Sequence, residues 1–166
     1  VLFWSAGAGA QKKPPPPVVD VHTHLIGKPP VLPSAIKVAE SFLARYPIEK
    51  MVLSHTPAGG KNVMYKFFAL KRFLQGKDRF AFLGGGGSLN PMIHRHDADS
   101  GDHKNLVEEF DKIADTIILA GGAGYGEMSS LHISVMPGHE YNFQPADHPL
   151  FRRLADIAAR HDVPIE

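Results

Sequence analysis

Two histidines separated by a single residue are the strongest chemical signal in the sequence. They end the segment Val18-Val19-Asp20-Val21-His22-Thr23-His24, whose β-branched residues follow a run of prolines, so we predict a strand. Alternate residues of a strand point to the same face, which puts Asp20, His22 and His24 on one side. Two imidazoles on one face can coordinate a divalent cation through ring nitrogens at about 2.0–2.1 Å. The pattern therefore predicts a metal site; its alternative is a pair of solvated histidines at a frayed strand end.

The elements that would position these histidines alternate between short apolar runs and amphipathic stretches. Four strand–helix units and the start of a fifth strand predict a parallel α/β sheet covered by helices. Two architectures fit, an open doubly wound sheet or the N-terminal portion of a (β/α)8 TIM-type barrel. A complete barrel needs about 250 residues, so it would be incomplete in this chain of 166 residues. We predict strands at 18–22, 50–54, 79–83, 120–127 and 163–166, and helices at 34–46, 62–74, 106–117 and 147–161. The first helix is expected to turn Ile36, Ala39, Leu43 and Tyr46 inward, and Asp147 is expected to cap the last. The glycine run at 84–87 is expected to lead into a turn at 88–91.

Composition narrows the classes of function. The formal net charge of +1 gives no basic excess for binding nucleic acid, and no run approaches the roughly 20 apolar residues of a membrane span. With no cysteine, the chain has neither disulfides nor thiolate ligands, whereas 10 histidines are available. We therefore expect a small-molecule substrate, no nucleic acid and no membrane span, with a homo-oligomer possible.

The first 17 residues differ from the remainder and set the domain boundary. Residues 1–11 contain an apolar stretch followed by small residues, as at the end of a secretory signal, and residues 14–17 are four prolines. We interpret residues 1–17 as a signal remnant or a disordered proline-rich lead-in, and residues 18–166 as the folded domain. The first alternative favours an exported or periplasmic protein and the second leaves a cytoplasmic one.

The segment from Val18 to Leu25 resembles the first-strand signature of the amidohydrolase superfamily, metal-dependent hydrolases built on a distorted (β/α)8 barrel. The similarity is closest to the branch that also contains decarboxylases and lactone hydrolases. It implies that His22 and His24 bind the metal and that residues 18–166 are the N-terminal half of a barrel. Gly126-Glu127 resembles a pair that supplies a carboxylate ligand on the fourth strand. The family's remaining ligands, two histidines and an aspartate, would lie beyond Glu166.

Several other residues are candidates for the same site because they follow predicted strands. Glu127 ends a glycine-rich strand, where it is either a metal ligand or a solvated carboxylate. His55 follows the second strand, Asn90 follows the glycine run at 84–87, and His132 lies in the long loop after Glu127, so we predict that these three contact substrate. The glycine runs match no nucleotide-binding pattern and are expected to make room for substrate.

The resemblance implies metal-assisted hydrolysis of an ester, lactone or amide bond by a divalent metal, with Zn²⁺ favoured. Such an ion lowers the pKa of bound water toward about 7 and polarises the carbonyl that is attacked. The alternatives are a metal-dependent non-oxidative decarboxylase at the same site, and a non-catalytic metal-binding domain.

Overall fold

The structure, a computed structural model, describes residues 16–25, 30–57, 64–96, 103–133 and 141–166. The interpretation of the lead-in therefore lies almost wholly outside the described residues. Strands and helices are interspersed along the chain, as predicted for an α/β chain. The strands are β1 (Val18–His24), β2 (Ile48–Ser54), β3 (Phe80–Phe82), β4 (Gly84–Gly85), β5 (Tyr125–Gly126), β6 (Leu131–His132) and β7 (Asn142–Phe143); the helices are α1 (Leu32–Arg45), α2 (Met64–Leu74), α3 (Leu89–Arg95), α4 (His103–Leu119) and α5 (Pro149–His161).

The longer strands are parallel and follow one another in chain order. β1, β2 and β3 form one sheet in that order, and β4 pairs in parallel with β5. Leu83, between β3 and β4, donates its amide to the Leu53 carbonyl at 2.8 Å, so both short strands lie along β2 and its extension. Ile165 makes a parallel bridge to Tyr125 of β5. The predicted mixed α/β arrangement is confirmed, and the described residues form no closed barrel.

Helix α1 covers the sheet with the apolar face that the sequence predicts. Ile36, Ala39 and Leu43 are buried in one hydrophobic cluster with Leu53 of β2, whereas Tyr46, also predicted to face inward, is 44% exposed. Burial of an aliphatic side chain of this size stabilises the fold by about 1.5–3 kcal/mol. This packing fixes β2 beneath α1 and therefore fixes where β2 ends.

A second cluster, between α4 and α5, anchors β5. Phe110, Ile117 and Leu154 are fully buried there together with Tyr125. The Tyr125 hydroxyl donates to the Ala114 carbonyl at 3.1 Å. Burial raises the pKa of Tyr125 to about 12, and the nearby Asp115 adds to the shift. Since Tyr125 lies two residues before Glu127, this anchor sets the position of the candidate carboxylate.

The boundaries of several elements differ from the sequence predictions. The glycine run leads through a turn into helix α3, where we expected a turn alone, and α1 begins at Leu32 rather than at Ser34. Pro91 and Pro33 lie in the first turns of these helices. Backbone N–H groups there have no partner within the helix, so proline, which lacks an N–H, is tolerated. The strand predicted at 120–127 is reduced to β5, because Gly121 and Gly124 have φ values of 92° and 156° that a regular strand does not use.

Helix α5 is capped by a histidine rather than by the predicted Asp147. The Nδ1 atom of His148 accepts a hydrogen bond from the Leu150 amide at 3.2 Å. Its Nε2 atom lies 3.1 Å from Nδ1 of His96, so a neutral His148 donates to His96. Burial lowers the pKa of His148, and the neighbouring His96 and His94 lower it further.

This cap predicts a pH-dependent stability. Because the pKa of His148 is lower in the folded chain than its ordinary value of 6.5, the unfolded chain takes up the proton first as the pH falls. Stability is then lost from about pH 7 downward until the folded-state pKa is passed. The variant His148→Asn keeps a cap acceptor but does not titrate. We expect its melting temperature to fall less than that of the wild type on acidification, and parallel curves would contradict this role.

Candidate metal centre

His22, His24 and Glu127 come together at the carboxyl ends of β1 and β5. Each offers one ligand atom, and these atoms all lie within 4.8 Å of one another. The Nε2 atom of His24 is 3.1 Å from Oε2 of Glu127, and the two imidazole rings have centroids 4.7 Å apart. Among the residues that the structure describes, this is the group of three whose geometry suits a cation. Two imidazole nitrogens and one carboxylate oxygen form a donor set that Zn²⁺ accepts.

The orientation of His24 follows from the pairing of β1 with β2. His24 lies opposite Ser54 in the parallel register. Its Nδ1 atom donates to the Ser54 carbonyl at 3.0 Å, which leaves Nε2 with a lone pair that points toward Glu127. A backbone carbonyl on the second ring nitrogen is a usual way to fix the tautomer of a metal-binding histidine.

Asp20 acts on the backbone of this strand rather than on a ring. Its place on the strand face of His22 and His24 would suit a carboxylate that accepts a hydrogen bond from a ligand histidine. Instead, Oδ1 accepts from the His22 amide at 3.2 Å and Oδ2 accepts from the Thr23 hydroxyl at 2.7 Å. The register of β1 against β2 shifts between Asp20 and Thr23. Asp20 therefore stabilises the irregular strand end that carries both histidines.

Glu127 is held by a close approach of three chain segments. Its amide donates to the His55 carbonyl at 3.2 Å, and the Gly86 amide donates to the Gly126 carbonyl at 3.2 Å. A Cβ atom on Gly86 would lie 2.9 and 3.0 Å from the carbonyl oxygen and amide nitrogen of Glu127, and closer still to the His55 oxygen. Real Cβ atoms are essentially never found so close to backbone atoms, so this position requires glycine.

The three residues predicted to contact substrate have different surroundings. His55 lies beside Glu127 and supports it through its carbonyl oxygen. Asn90 is 1% exposed, and its Oδ1 atom accepts from the Ser129 amide at 2.9 Å, which fixes the chain just after Glu127. His132 lies on β6, where it pairs with Asn142. Within the described part of the chain, none of the three belongs to the group with metal-binding geometry.

Glu166 is a member of the site that sequence reasoning missed. Its Oε1 atom lies 2.7 Å from Nδ1 of His22. The signal available in the sequence was its place at the end of the predicted fifth strand, because parallel strands bring their carboxyl ends to one edge. We had expected a histidine beyond this residue and had assigned no role to the glutamate itself.

The centre is partly open to solvent. The side chain of His22 is 48% exposed, whereas those of His24 and Glu127 are 23% and 31% exposed. Catalytic zinc sites keep an open position for water or substrate beside their protein ligands, unlike closed structural sites. A cation held by these three side chains would be reached by solvent on the side of His22.

A separate pocket of about 490 Å³ lies elsewhere, between α2 and β3. Phe68, Lys71, Arg72 and Phe80 line it, together with Gly121 after α4. Its lining includes none of His22, His24 and Glu127. Pocket size therefore does not mark the candidate centre, which is defined by its donor atoms.

Comparisons of the chain with protein-family models, with curated proteins and with solved structures found no match. Among the described residues, no helix is long and apolar enough to cross a membrane.

Proposed function

We propose that this chain is the N-terminal portion of a metal-dependent hydrolase of the (β/α)8 barrel type. The observation that carries the proposal is the meeting of His22 and His24 with Glu127, which is distant from both in the sequence, with ligand atoms within 4.8 Å of one another. The resemblance to the amidohydrolase superfamily supports it, since residues 18–25 point to His22 and His24, and Gly126-Glu127 points to Glu127. The substrate class is an ester, lactone or amide.

The strand order supports a barrel rather than a doubly wound sheet. A doubly wound sheet reverses its strand order at a switch point, whereas a barrel adds each strand beside the previous one. Within the sheet of β1, β2 and β3, and from β4 through β5 to Ile165, the described strands pair in chain order and in parallel. The contact between His22 and Glu166 joins the first strand to the bridge at 165 across the carboxyl ends, as expected of a strongly curved sheet.

The chemistry follows from the donor set. A bound divalent cation, Zn²⁺ by preference, supplies a nucleophile at neutral pH by lowering the pKa of coordinated water toward about 7, and it polarises a carbonyl group. The chain's own residues would hold and orient the cation: His24 through Nε2, with Nδ1 fixed on Ser54, and Glu127 through its carboxylate. The exposed side of His22 leaves space for a small substrate.

Zinc binding is the direct test of the centre. We expect the wild-type chain, titrated with Zn²⁺ alone, to bind about one ion and to melt at a higher temperature when loaded, as linkage requires. The double variant His22→Ala/His24→Ala should lose both effects. The double variant His132→Ala/His161→Ala is a matched control, since it removes two histidines elsewhere and should bind like the wild type. Equal zinc binding by the wild type and the His22/His24 variant would overturn the proposed centre.

Turnover distinguishes the function from its alternatives. The zinc-loaded wild type is assayed with a panel of esters, lactones and amides, and separately for release of carbon dioxide from aromatic carboxylates. Hydrolysis that the His22→Ala/His24→Ala variant lacks would support the proposal. Carbon dioxide release without hydrolysis would identify a decarboxylase, and tight zinc binding without either reaction would identify a non-catalytic metal-binding domain.

A further inference from the structure

Glu166 reaches into the metal centre from a distant part of the chain. Its Oε1 atom is 2.7 Å from Nδ1 of His22, a contact between residues 144 positions apart. The Glu166 side chain is 21% exposed, less than the 48% of His22. The carboxylate side of the contact is therefore partly protected from water.

Neighbouring backbone holds Glu166 in this position. Its amide donates to the Tyr125 carbonyl at 2.9 Å, and its carbonyl accepts from the Met128 amide at 3.0 Å. Gly126 leaves space for the side chain: a Cβ atom there would lie 2.6 Å from Oε2 of Glu166 and 3.1 Å from its Cβ. The direction of the carboxylate is thus set by β5, the strand that also carries Glu127.

The two histidines are anchored in the same way. The Nδ1 atom of His24 donates a hydrogen bond to the Ser54 carbonyl, and the Nδ1 atom of His22 donates one to the Glu166 carboxylate. An imidazole that donates from Nδ1 presents the lone pair of Nε2, and such a partner also raises the basicity of a metal-binding histidine. Both rings are therefore prepared to offer Nε2 to one cation.

We propose that Glu166 is a positioning residue of the metal centre, which holds His22 in the tautomer and orientation that binds the cation. This inference rests on the proposed function. A further observation supports it: Oε2 of Glu166 is buried and has no hydrogen-bond partner among the described residues. A buried carboxylate oxygen without a donor is costly unless positive charge lies nearby, and a cation held by His22, His24 and Glu127 would supply that charge.

The first test measures zinc affinity in the 166-residue chain. Loss of an outer partner of a ligand histidine typically reduces metal affinity by about 10–100-fold, and we expect this loss for Glu166→Ala. Glu166→Gln keeps the size and a hydrogen-bond acceptor, so it should fall between Glu166→Ala and the wild type. Glu109→Gln removes an exposed carboxylate on α4 and is the matched control, with wild-type affinity expected.

The second test measures the tautomer of His22 in the zinc-free protein. A purely structural role of Glu166 would leave this tautomer unchanged. Nitrogen NMR of His22 should report the Nδ1–H tautomer in the wild type and in Glu109→Gln, and a shift toward the Nε2–H tautomer in Glu166→Ala. Melting curves for Glu166→Ala and Glu166→Gln establish that both variants are folded under the conditions of measurement.

The outcomes separate this inference from the proposed function. Wild-type zinc binding with unchanged affinity in Glu166→Ala would overturn the role of Glu166 and leave the centre intact. An unchanged His22 tautomer in Glu166→Ala would overturn it as well. A wild type that does not bind zinc would refute the proposed function, and the inference would fail with it.

Discussion

Replacement of Gly86 by alanine is expected to destabilise the protein by about 3 kcal/mol, the upper end of what overpacking costs, and to abolish zinc binding. The new methyl group would meet the backbone of Glu127 at 2.9 and 3.0 Å and the His55 carbonyl at a shorter distance still. Because backbone atoms cannot rotate away as side chains do, the end of β2 must separate from Glu127. The hydrogen bond between the Glu127 amide and the His55 carbonyl would then break.

Gly76→Ala is the control for this variant. Gly76 has a φ of 75°, and nothing lies within 4 Å of the position that its Cβ would take. Alanine there should cost about 1–2 kcal/mol from the left-handed backbone alone and leave zinc affinity unchanged. Thermal melting and zinc titration below the melting transition measure both effects. If Gly86→Ala binds zinc as tightly as Gly76→Ala, the close approach is not what holds Glu127 in place.

Replacement of Glu127 by glutamine should lower zinc affinity by at least about 100-fold. Loss of a residue that only supports a metal ligand costs up to about 100-fold, and Glu127 offers a ligand atom itself. The substitution keeps the size of the side chain and removes its charge. The Glu127 side chain is 31% exposed. The free energy of unfolding of the metal-free variant should therefore lie within about 0.5 kcal/mol of the wild-type value.

Zinc titration beside a melting curve checks this prediction, with Glu109→Gln again as the exposed control. A large loss of stability in the metal-free variant would show that Glu127 has a structural role in place of a ligand role. Unchanged affinity would remove Glu127 from the centre and leave His22 and His24 as the ligands predicted from the sequence.

The parts of the site that could be predicted are residues whose type suits a metal ligand and whose position on a single strand is readable from the sequence. His22 and His24 share a strand face because of a two-residue period, and Glu127 was selected by its place at a strand end. The structure brings the ligand atoms of the three residues within 4.8 Å of one another, and their binding of a metal stays a prediction. Helix α1 was predicted from its apolar periodicity, and Ile36, Ala39 and Leu43 are buried as expected.

The parts that could not be predicted depend on contacts between distant segments. Glu166 contributes because its backbone pairs with Tyr125, and no local pattern encodes that pairing. His148 caps α5 although Asp147 is a common capping residue, since the ring of His148 is buried against His96 and its Nδ1 atom is within reach of the Leu150 amide. Asn90 was assigned to substrate by its position, whereas its side chain bonds to the Ser129 amide.

The contact between His22 and Glu166 also has a consequence for the order of folding. The 144 positions that separate these residues make the contact one of the slowest to form, because ordering so long a loop costs entropy before any contact offsets it. We therefore expect the centre to be completed late in folding. An ion that binds the finished centre is then expected to slow unfolding and to leave the rate of folding almost unchanged.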